Sequence, residues 1–144
     1  MKQLTVFLFF ISVTIGYSQD WKTDFELVKN EAKNNNKTIL LLFSGSDWCA
    51  PCIKLEKNIW QSAEFKKFAD QNYALLRADF PKKKQNQLET ELKQQNEKLA
   101  EKYNPEGVFP LVVIMDKTGK ILGKASYQNV TPAEYLSVLN TFVK

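Results

Sequence analysis

Two cysteines, Cys49 and Cys52, are the residues whose type and spacing point most directly to chemistry. They are the only cysteines of the chain and lie in the segment WCAPC, between an apolar run (residues 38–43, TILLLF) and a segment with helical spacing. Residues three apart lie one turn along a helix, so the two sulfurs can close and reopen a disulfide. The free N–H groups and dipole of a helix N-terminus favour thiolate over thiol. The pattern therefore predicts thiol–disulfide exchange, with Cys49 attacking and Cys52 resolving.

Three other interpretations of this cysteine pair are a structural disulfide, half of a metal site and two unrelated core cysteines. A disulfide that encloses two residues constrains the unfolded chain little, so its stabilising value is small. A metal site needs about four ligands, whereas the sequence offers two thiols and no histidine. The strand–loop–helix context favours redox chemistry that requires neither a metal nor a cofactor.

The composition limits the classes of function that remain. The 144 residues fit one domain, and the 44% of hydrophobic and 25% of charged residues are typical of globular domains. The absence of histidine excludes Ser-His and Cys-His nucleophile pairs. The net charge of +4 arises from scattered lysines rather than from a dense basic stripe, so no nucleic-acid partner is predicted.

The first 18 residues have the order of a signal peptide. Lys2 lies in a short positive head, residues 4–15 form an apolar run, and the small residues Gly16 and Ser18 follow. The run is shorter than the roughly 20 residues of a membrane span. Cleavage after Ser18 predicts a domain of residues 19–144 that is secreted across the inner membrane, and that is periplasmic if the source is a Gram-negative bacterium. The alternatives are an uncleaved anchor and a buried first strand.

The elements that must position the cysteines alternate between helical and extended patterns. Helical spacing is found in residues 21–33, from Cys49 through Ile53 to about residue 69, in residues 85–101, and after a capping box at Thr131 and Glu134. Apolar runs predict strands at residues 38–43, 73–80, 108–115 and 120–125. The alternation in the first half requires parallel crossovers, and the turn at residues 116–119 requires an antiparallel pair. We predict an α/β fold in which helices flank a central mixed sheet of about four to five strands.

These features together resemble the thioredoxin family. The resemblance rests on the strand TILLLF, on Trp48 directly before the first cysteine, on the CxxC that opens a helix, and on Phe109 and Pro110 at the start of a later strand. It covers nearly all of residues 21–144 and is closest to exported single-domain disulfide reductases. It implies a thioredoxin-like fold, a cis Phe109–Pro110 bond beside Cys49, and an enzyme that reduces protein disulfides.

The resemblance also implies a binding surface and partners. Trp48, Ala50, Pro51, Phe109 and Pro110 are expected to form an apolar collar around the sulfur, where an extended substrate segment can pair with backbone near Pro110. The alternative for Trp48 and Phe109 is ordinary packing. Expected partners are disulfide-containing protein substrates and a membrane-embedded electron donor that recharges the exported protein. The protein is expected to be a monomer.

Three features depart from the family pattern. Ala50 replaces the usual glycine between the cysteines, and Phe43 stands where thioredoxins commonly have a buried aspartate that helps to deprotonate the second cysteine. Water, Glu56 or Asp47 could take over that role. Residues 82–95 form an insertion relative to short thioredoxins, and this insertion either shapes the choice of partner or is a solvated helix.

The direction of the exchange is predicted from the residues between the cysteines. Strong oxidants of the family usually have a histidine there that lowers the thiolate pKa towards about 3.5, whereas Ala50 and Pro51 carry no charge. The reduced form is then less favoured, and a potential nearer about −270 mV than −120 mV is expected. The alternatives are a disulfide oxidase or isomerase with the same site, and a non-catalytic binding module in which the cysteines are structural.

Overall fold

The structure, a computed structural model, describes residues 19–144, so the predicted signal peptide lies outside the described residues. Its elements are α1 (Phe25–Asn35), β1 (Thr38–Ser44), α2 (Ala50–Leu55), a π-helical turn (Glu56–Trp60), α3 (Ala63–Asn72), β2 (Tyr73–Asp79), a 3-10 turn (Lys84–Asn86), α4 (Thr90–Tyr103), β3 (Leu111–Met115), β4 (Ile121–Ala125) and α5 (Pro132–Asn140). In this range no helix has the length and apolar character needed to cross a membrane.

The four strands form one mixed sheet in the order β2-β1-β3-β4. Strand β1 runs parallel to β2 and antiparallel to β3, and β4 is antiparallel to β3. This confirms the predicted α/β fold class with a mixed sheet. Phe43 near the end of β1 pairs with Leu111 at the start of β3. The loop that leaves β1 and the loop that enters β3 therefore meet at one edge of the sheet, as the antiparallel pairing requires.

The hydrophobic core has two parts, one on each face of the sheet. Successive side chains of a strand point to opposite faces, so Leu40 and Leu42 pack with Trp60 and Tyr135, which are contributed by the π-helical turn and α5. Their neighbours in β1 face the other way and pack against α1 and α4; this second set includes Ile39, Leu41, Phe43, Val28, Leu99 and Tyr103. The unbroken apolar run of β1 thus reflects a central strand that is covered on both faces.

Helix α1 begins later than its apolar spacing predicts. The side chain of Asp24 caps the helix by accepting a hydrogen bond from the Leu27 N–H (3.0 Å). The preceding residues run instead along the edge of β2, where the Lys22 N–H donates to the Leu75 carbonyl (3.0 Å). Trp21 consequently packs against the core from an extended segment rather than from a helix.

The capping box at the start of α5 is confirmed. The Thr131 hydroxyl accepts a hydrogen bond from the Glu134 N–H (3.3 Å), and the Glu134 carboxylate accepts one from the Thr131 N–H (2.8 Å). The pKa of Glu134 is lowered by the hydrogen bonds that its carboxylate accepts, first from the Thr131 N–H and then from the Thr131 hydroxyl (2.8 Å). The box fixes the entry of α5, which carries Tyr135 into the core.

Candidate active site

The two cysteines lie where β1 gives way to α2, and they form a disulfide. Cys49 is the N-cap of α2, and its Sγ accepts a hydrogen bond from the backbone N–H of Cys52 (3.3 Å). Pro51 occupies the first turn, where its missing N–H leaves no helical hydrogen bond unmade. The Cα atoms of the two cysteines are 5.2 Å apart. One turn of helix is thus enough to hold both sulfurs within bonding distance.

The disulfide is shielded, although the residues between the cysteines are open to solvent. Cys49 and Cys52 are each only 4% exposed, whereas Ala50 and Pro51 are exposed. The Gly45 N–H donates to the Cys52 Sγ (3.5 Å), which adds a weak contact from the loop behind. The exposed face of the Ala50–Pro51 loop is therefore the solvent-facing surface beside the two sulfurs.

Trp48 is anchored at one end and exposed at the other. Its indole Nε1 donates to the Phe80 carbonyl oxygen (2.7 Å), and its ring centroid is 5.5 Å from that of Phe109. The side chain is still 39% exposed. Gly45 makes this placement possible, because a Cβ atom there would lie 2.4 Å from the indole ring. The indole therefore both packs against the neighbouring loops and presents surface beside Cys49.

Phe109 and Pro110 lie at the same edge of the sheet as the cysteines. The peptide bond between them is cis, as predicted. Pro110 is buried and directly precedes Leu111, the residue that pairs with Phe43. Phe109 is half-buried and packs between Trp48 and Phe80, with its ring centroid 5.4 Å from that of Phe80. The register of β1 and β3 thus brings together the predicted site residues from the two loops.

A set of hydrogen bonds that the sequence does not predict holds the backbone around Pro110. The side chain of Asn104, which is 2% exposed, donates to the Val108 carbonyl and accepts from the Val108 N–H, both at 2.9 Å. On the other side, the Ser126 hydroxyl donates to the Pro110 carbonyl (2.7 Å), and the Tyr135 hydroxyl donates to the Ser126 carbonyl (3.0 Å). Burial raises the pKa of Tyr135, so this hydroxyl keeps its proton.

Asp47 holds a second loop against the cysteine loop. Its carboxylate accepts hydrogen bonds from the backbone N–H groups of Lys82 (2.9 Å) and Lys83 (3.0 Å) and from the Asn86 side chain (3.0 Å). These bonds, above all the one from Lys82, lower the pKa of Asp47. Lys82 Nζ lies 3.9 Å from the centroid of the Trp48 ring. Residues 82–86 are therefore a docked loop next to the disulfide.

Residues 82–95, predicted to be an insertion, do not form the start of one long helix as the leucine spacing of residues 85–101 predicts. Helix α4 begins only at Thr90, and Leu88 precedes it. Leu99 is buried, but Leu88 and Leu92 are half-buried. The first part of the insertion belongs to the docked loop because Asp47 satisfies its backbone N–H groups.

In the part of the chain that the structure describes, neither candidate carboxylate is hydrogen-bonded to the Cys52 Sγ, although the backbone N–H of Glu56 donates to the Cys52 carbonyl. Phe43 is fully buried at the family's acid position. The Asp47 carboxylate is committed to residues 82–86, and Glu56 forms an ion pair with Arg77 (2.6 Å). Glu56 is the first residue of the π-helical turn, and its carboxylate faces Arg77 of β2.

Two apolar side chains near the disulfide extend the exposed surface beyond the predicted set. Ile53 is 51% exposed, although its place in the helical pattern predicts a core contact. Val108, just before Phe109, is also exposed. Ile53 follows Cys52 on the solvent-exposed side of α2, and a local sequence pattern does not reveal which side of a short helix is exposed. Within residues 19–144, no cluster of three or more histidine, cysteine or acidic residues could hold a metal ion.

Comparison with known proteins assigns the fold and the site to one family. The family model described as thioredoxin-like matches residues 20–117. The chain belongs to the thioredoxin-like family. It is 36% identical over 124 residues to the disulfide bond reductase DsbH of Chlamydia pneumoniae, a match that covers 86% of this chain and 72% of that relative. With its cysteine pair joined in a disulfide, this family member is a thiol–disulfide oxidoreductase.

Further relatives and solved structures agree with this assignment. The solved structure of a DsbH oxidoreductase superposes with a TM-score of 0.79 at 34% identity and covers 86% of this chain and 83% of that one. The thioredoxin-related protein DsbJ of Chlamydia pneumoniae is 27% identical over 111 residues, which are 77% of this chain but only 31% of DsbJ. A thioredoxin from Thermus thermophilus, at 13% identity and a TM-score of 0.60 with 83% of each chain covered, shares the fold.

Proposed function

We propose that this oxidoreductase is exported and reduces disulfides in partner proteins by a cycle between the Cys49–Cys52 dithiol and its disulfide. The observation that carries the proposal is the redox-competent pair at the start of α2, with only Ala50 and Pro51 between the sulfurs. The similarity to a relative named as a disulfide bond reductase supports the reducing direction. The predicted signal peptide, residues 1–18, supports export.

The cycle balances within the two proteins. The Cys49 thiolate attacks one sulfur of the partner disulfide, which breaks that bond, forms a mixed disulfide and releases a partner thiolate that takes up a proton. Cys52 then loses its proton and attacks Cys49 Sγ, so the mixed disulfide breaks and the second partner thiol is released. Two electrons pass to the partner, and the protein is left with the Cys49–Cys52 disulfide seen in the structure.

The small stabilisation that the site gives to a thiolate supports the proposed reducing direction. A strong oxidant of this type stabilises its reduced form, with a thiolate pKa of about 3.5. Here the hydrogen bond from the Cys52 N–H and the helix end are the favourable groups for a Cys49 thiolate, and the residue buried behind the site is Phe43. A reduction potential of about −270 mV is therefore expected. Such a reductant needs recharging in an oxidising compartment, for which a membrane-embedded dithiol donor is proposed.

The proposed substrate surface consists of Trp48, Ala50, Pro51, Phe109 and Pro110. The exposed parts of Trp48, Ala50 and Pro51 surround the approach to the sulfurs. Phe109 supports the indole by an edge contact, and its backbone lies directly before the buried Pro110 and β3. An extended segment of the partner would lie between these two loops, with its disulfide over Cys49.

The deciding measurement is the equilibrium reduction potential of the purified protein in dithiothreitol and glutathione buffers, followed by tryptophan fluorescence. The expected value is near about −270 mV, and a value above about −180 mV would instead indicate an oxidase or isomerase. A pair that does not titrate would indicate a binding module.

Insulin reduction with dithiothreitol as the electron source tests the roles of the cysteines. Cys49→Ser is expected to abolish activity, because the attacking thiolate is lost. Cys52→Ser, reduced first and then separated from dithiothreitol, is expected to accumulate the mixed disulfide with insulin, because the protein has no second cysteine to resolve it. The control Ala63→Ser, at an exposed position of α3, should retain the activity of the unsubstituted protein. Full activity of Cys49→Ser would overturn the assignment.

A further inference from the structure

The loop that Asp47 holds beside the disulfide carries three consecutive lysines. Lys82, Lys83 and Lys84 are all exposed, and none of them takes part in an ion pair among residues 19–144. The loop is fixed through its backbone, because Asp47 binds the N–H groups of Lys82 and Lys83 rather than their ammonium groups. Three cationic side chains are thus left without an ion-pair partner among the described residues, and the first of them, Lys82, lies next to Trp48.

The nearby acids Asp47, Asp79 and Glu97 form no ion pair with these three lysines among residues 19–144. Asp47 and Asp79 are both only partly exposed, and each carboxylate is engaged by hydrogen bonds. Asp79 accepts from the backbone N–H (2.9 Å) and the hydroxyl (2.5 Å) of Ser46, which ties the end of β2 to the cysteine loop. The Asp47 and Asp79 carboxylates therefore hold the loops together, while Lys82 lies over the Trp48 ring and the side chains of Lys83 and Lys84 are exposed.

We propose that Lys82, Lys83 and Lys84 select substrates, favouring partner proteins whose target disulfide is flanked by acidic side chains. The inference rests on the proposed reductase function and names its substrate class. Lys82 Nζ is 3.9 Å from the centroid of the Trp48 ring, and Trp48 directly precedes Cys49. A segment that places its disulfide over Cys49 and crosses Trp48 brings its flanking side chains within a Debye length of the lysines, about 8–10 Å.

The expected effect is on the encounter with the substrate rather than on the chemistry of the sulfurs. Charges at the rim of a binding surface raise association rates, and salt screens them. For three solvent-exposed lysines we expect a preference of about three- to tenfold in the second-order rate constant for an acidic substrate over a neutral one. The preference should shrink to less than about twofold in roughly 1 M salt, where the Debye length is about 3 Å.

The test compares two synthetic peptides that share one disulfide loop and differ only in three flanking residues, glutamate in one and glutamine in the other. The reduced protein is mixed with each peptide at low and high salt, and oxidation is followed by tryptophan fluorescence. The same rates are measured for the variant Lys82→Gln/Lys83→Gln/Lys84→Gln. The matched control is Lys33→Gln/Lys117→Gln/Lys120→Gln, which removes equal charge from exposed lysines near the far end of the sheet.

The expected result is a preference for the glutamate peptide that falls with salt, is lost in the variant at residues 82–84 and is kept in the control. Hydroxyethyl disulfide, which is uncharged, should be reduced by the unsubstituted protein and by the control at equal rates that change little with salt. If the unsubstituted protein reduces the two peptides at equal rates, the proposed charge preference is wrong but the reductase function stands. This comparison needs no variant. If neither peptide nor hydroxyethyl disulfide is reduced, the reductase function fails and the preference fails with it.

A fourth arm separates substrate selection from binding to an anionic surface. Vesicles of phosphatidylglycerol and phosphatidylcholine are sedimented with the protein and with both triple variants. Loss of vesicle binding in the variant at residues 82–84, together with equal rates for the two peptides, would assign the lysines to lipid and overturn the proposal. Salt-dependent discrimination between the peptides by the protein free in solution supports it.

Discussion

At the scale of single residues, Asp47 illustrates how one side chain can serve a site without taking part in its chemistry. A carboxylate beside Cys52 could accept the proton of the second thiol, but Asp47 is occupied by two backbone N–H groups and the Asn86 amide. Its negative charge is therefore used to dock residues 82–86 against the cysteine loop. It is a positioning residue for the backbone of residues 82–86, and its carboxylate is not hydrogen-bonded to Cys52.

The docking by Asp47 predicts a specific pH dependence. The bond from the Lys82 N–H, with smaller contributions from Asn86 and Lys83, lowers the pKa of Asp47 in the folded protein. A lowered folded-state pKa means that the docking contributes fully above the unfolded value of about 3.9 and is lost as the pH falls through the folded value. The Lys82 and Lys83 amide resonances should thus be constant from about pH 5 to 8 and titrate together below about 3.9.

Nuclear magnetic resonance of the amide protons measures this transition directly. In Asp47→Asn the same two amides should show no shared titration, because the neutral side chain has no proton to gain. The variant should also exchange these amide protons faster at neutral pH, since an amide oxygen is a weaker acceptor than a carboxylate. A shared midpoint above about pH 4 in the unsubstituted protein would contradict the proposed docking.

At the scale of elements, the site is the meeting point of three loops that leave one edge of the sheet. The β1–α2 loop carries the cysteines, the loop after β2 carries the lysines, and the α4–β3 loop carries Phe109 and Pro110. Trp48 joins all three, since its indole donates to Phe80 after β2 and packs against Phe109 before β3. A substitution in any one of these loops should therefore impair the binding of a protein substrate more than it impairs the reactivity of the cysteines.

The side chain of Asn104 makes this testable in the α4–β3 loop. Replacing it with alanine removes both hydrogen bonds to Val108 and leaves a cavity at a 2% exposed position. Asn104→Ala should lower the free energy of unfolding by about 1–3 kcal/mol, measured by urea denaturation. Insulin reduction should fall more than reduction of hydroxyethyl disulfide, because Phe109 is less well held. Asn30→Ala, at an exposed position of α1, should change stability by less than about 0.5 kcal/mol.

The fold was largely predictable from the sequence because its elements are encoded by local patterns. The central strand is an unbroken apolar run, and the start of α5 is a four-residue capping motif. The contacts that complete the site join distant residues: Asp47 and Lys82 are 35 positions apart, and Ser126 and Pro110 are 16 apart. Such polar pairs leave no periodic signal, so neither the docked loop nor the support of Pro110 could be predicted.

At the scale of the whole molecule, the reduction potential and the stability of the fold are coupled. Folding the oxidised or the reduced chain, and oxidising the folded or the unfolded chain, form one closed thermodynamic cycle. A folded protein that is a better reductant than its own unfolded chain must therefore be more stable when oxidised. Cys49 and Cys52 are each 4% exposed, and Phe43 lies fully buried in the preceding strand. Reduction places two thiols, each with a polar S–H group, in this shielded site, whereas the disulfide has no such group to bury. The folded protein therefore favours the disulfide.

The oxidised protein should consequently unfold at a higher temperature than the reduced protein. Each 30 mV by which the folded site is more reducing than the unfolded chain corresponds to about 1.4 kcal/mol of extra stability. In a domain of this size that difference raises Tm by roughly 4 °C. Calorimetry with and without dithiothreitol measures the shift, and Cys49→Ser/Cys52→Ser should show none. If the reduced form is the more stable of the two, the folded site is more oxidising than the unfolded chain. The direction proposed for the exchange would then have to be reversed.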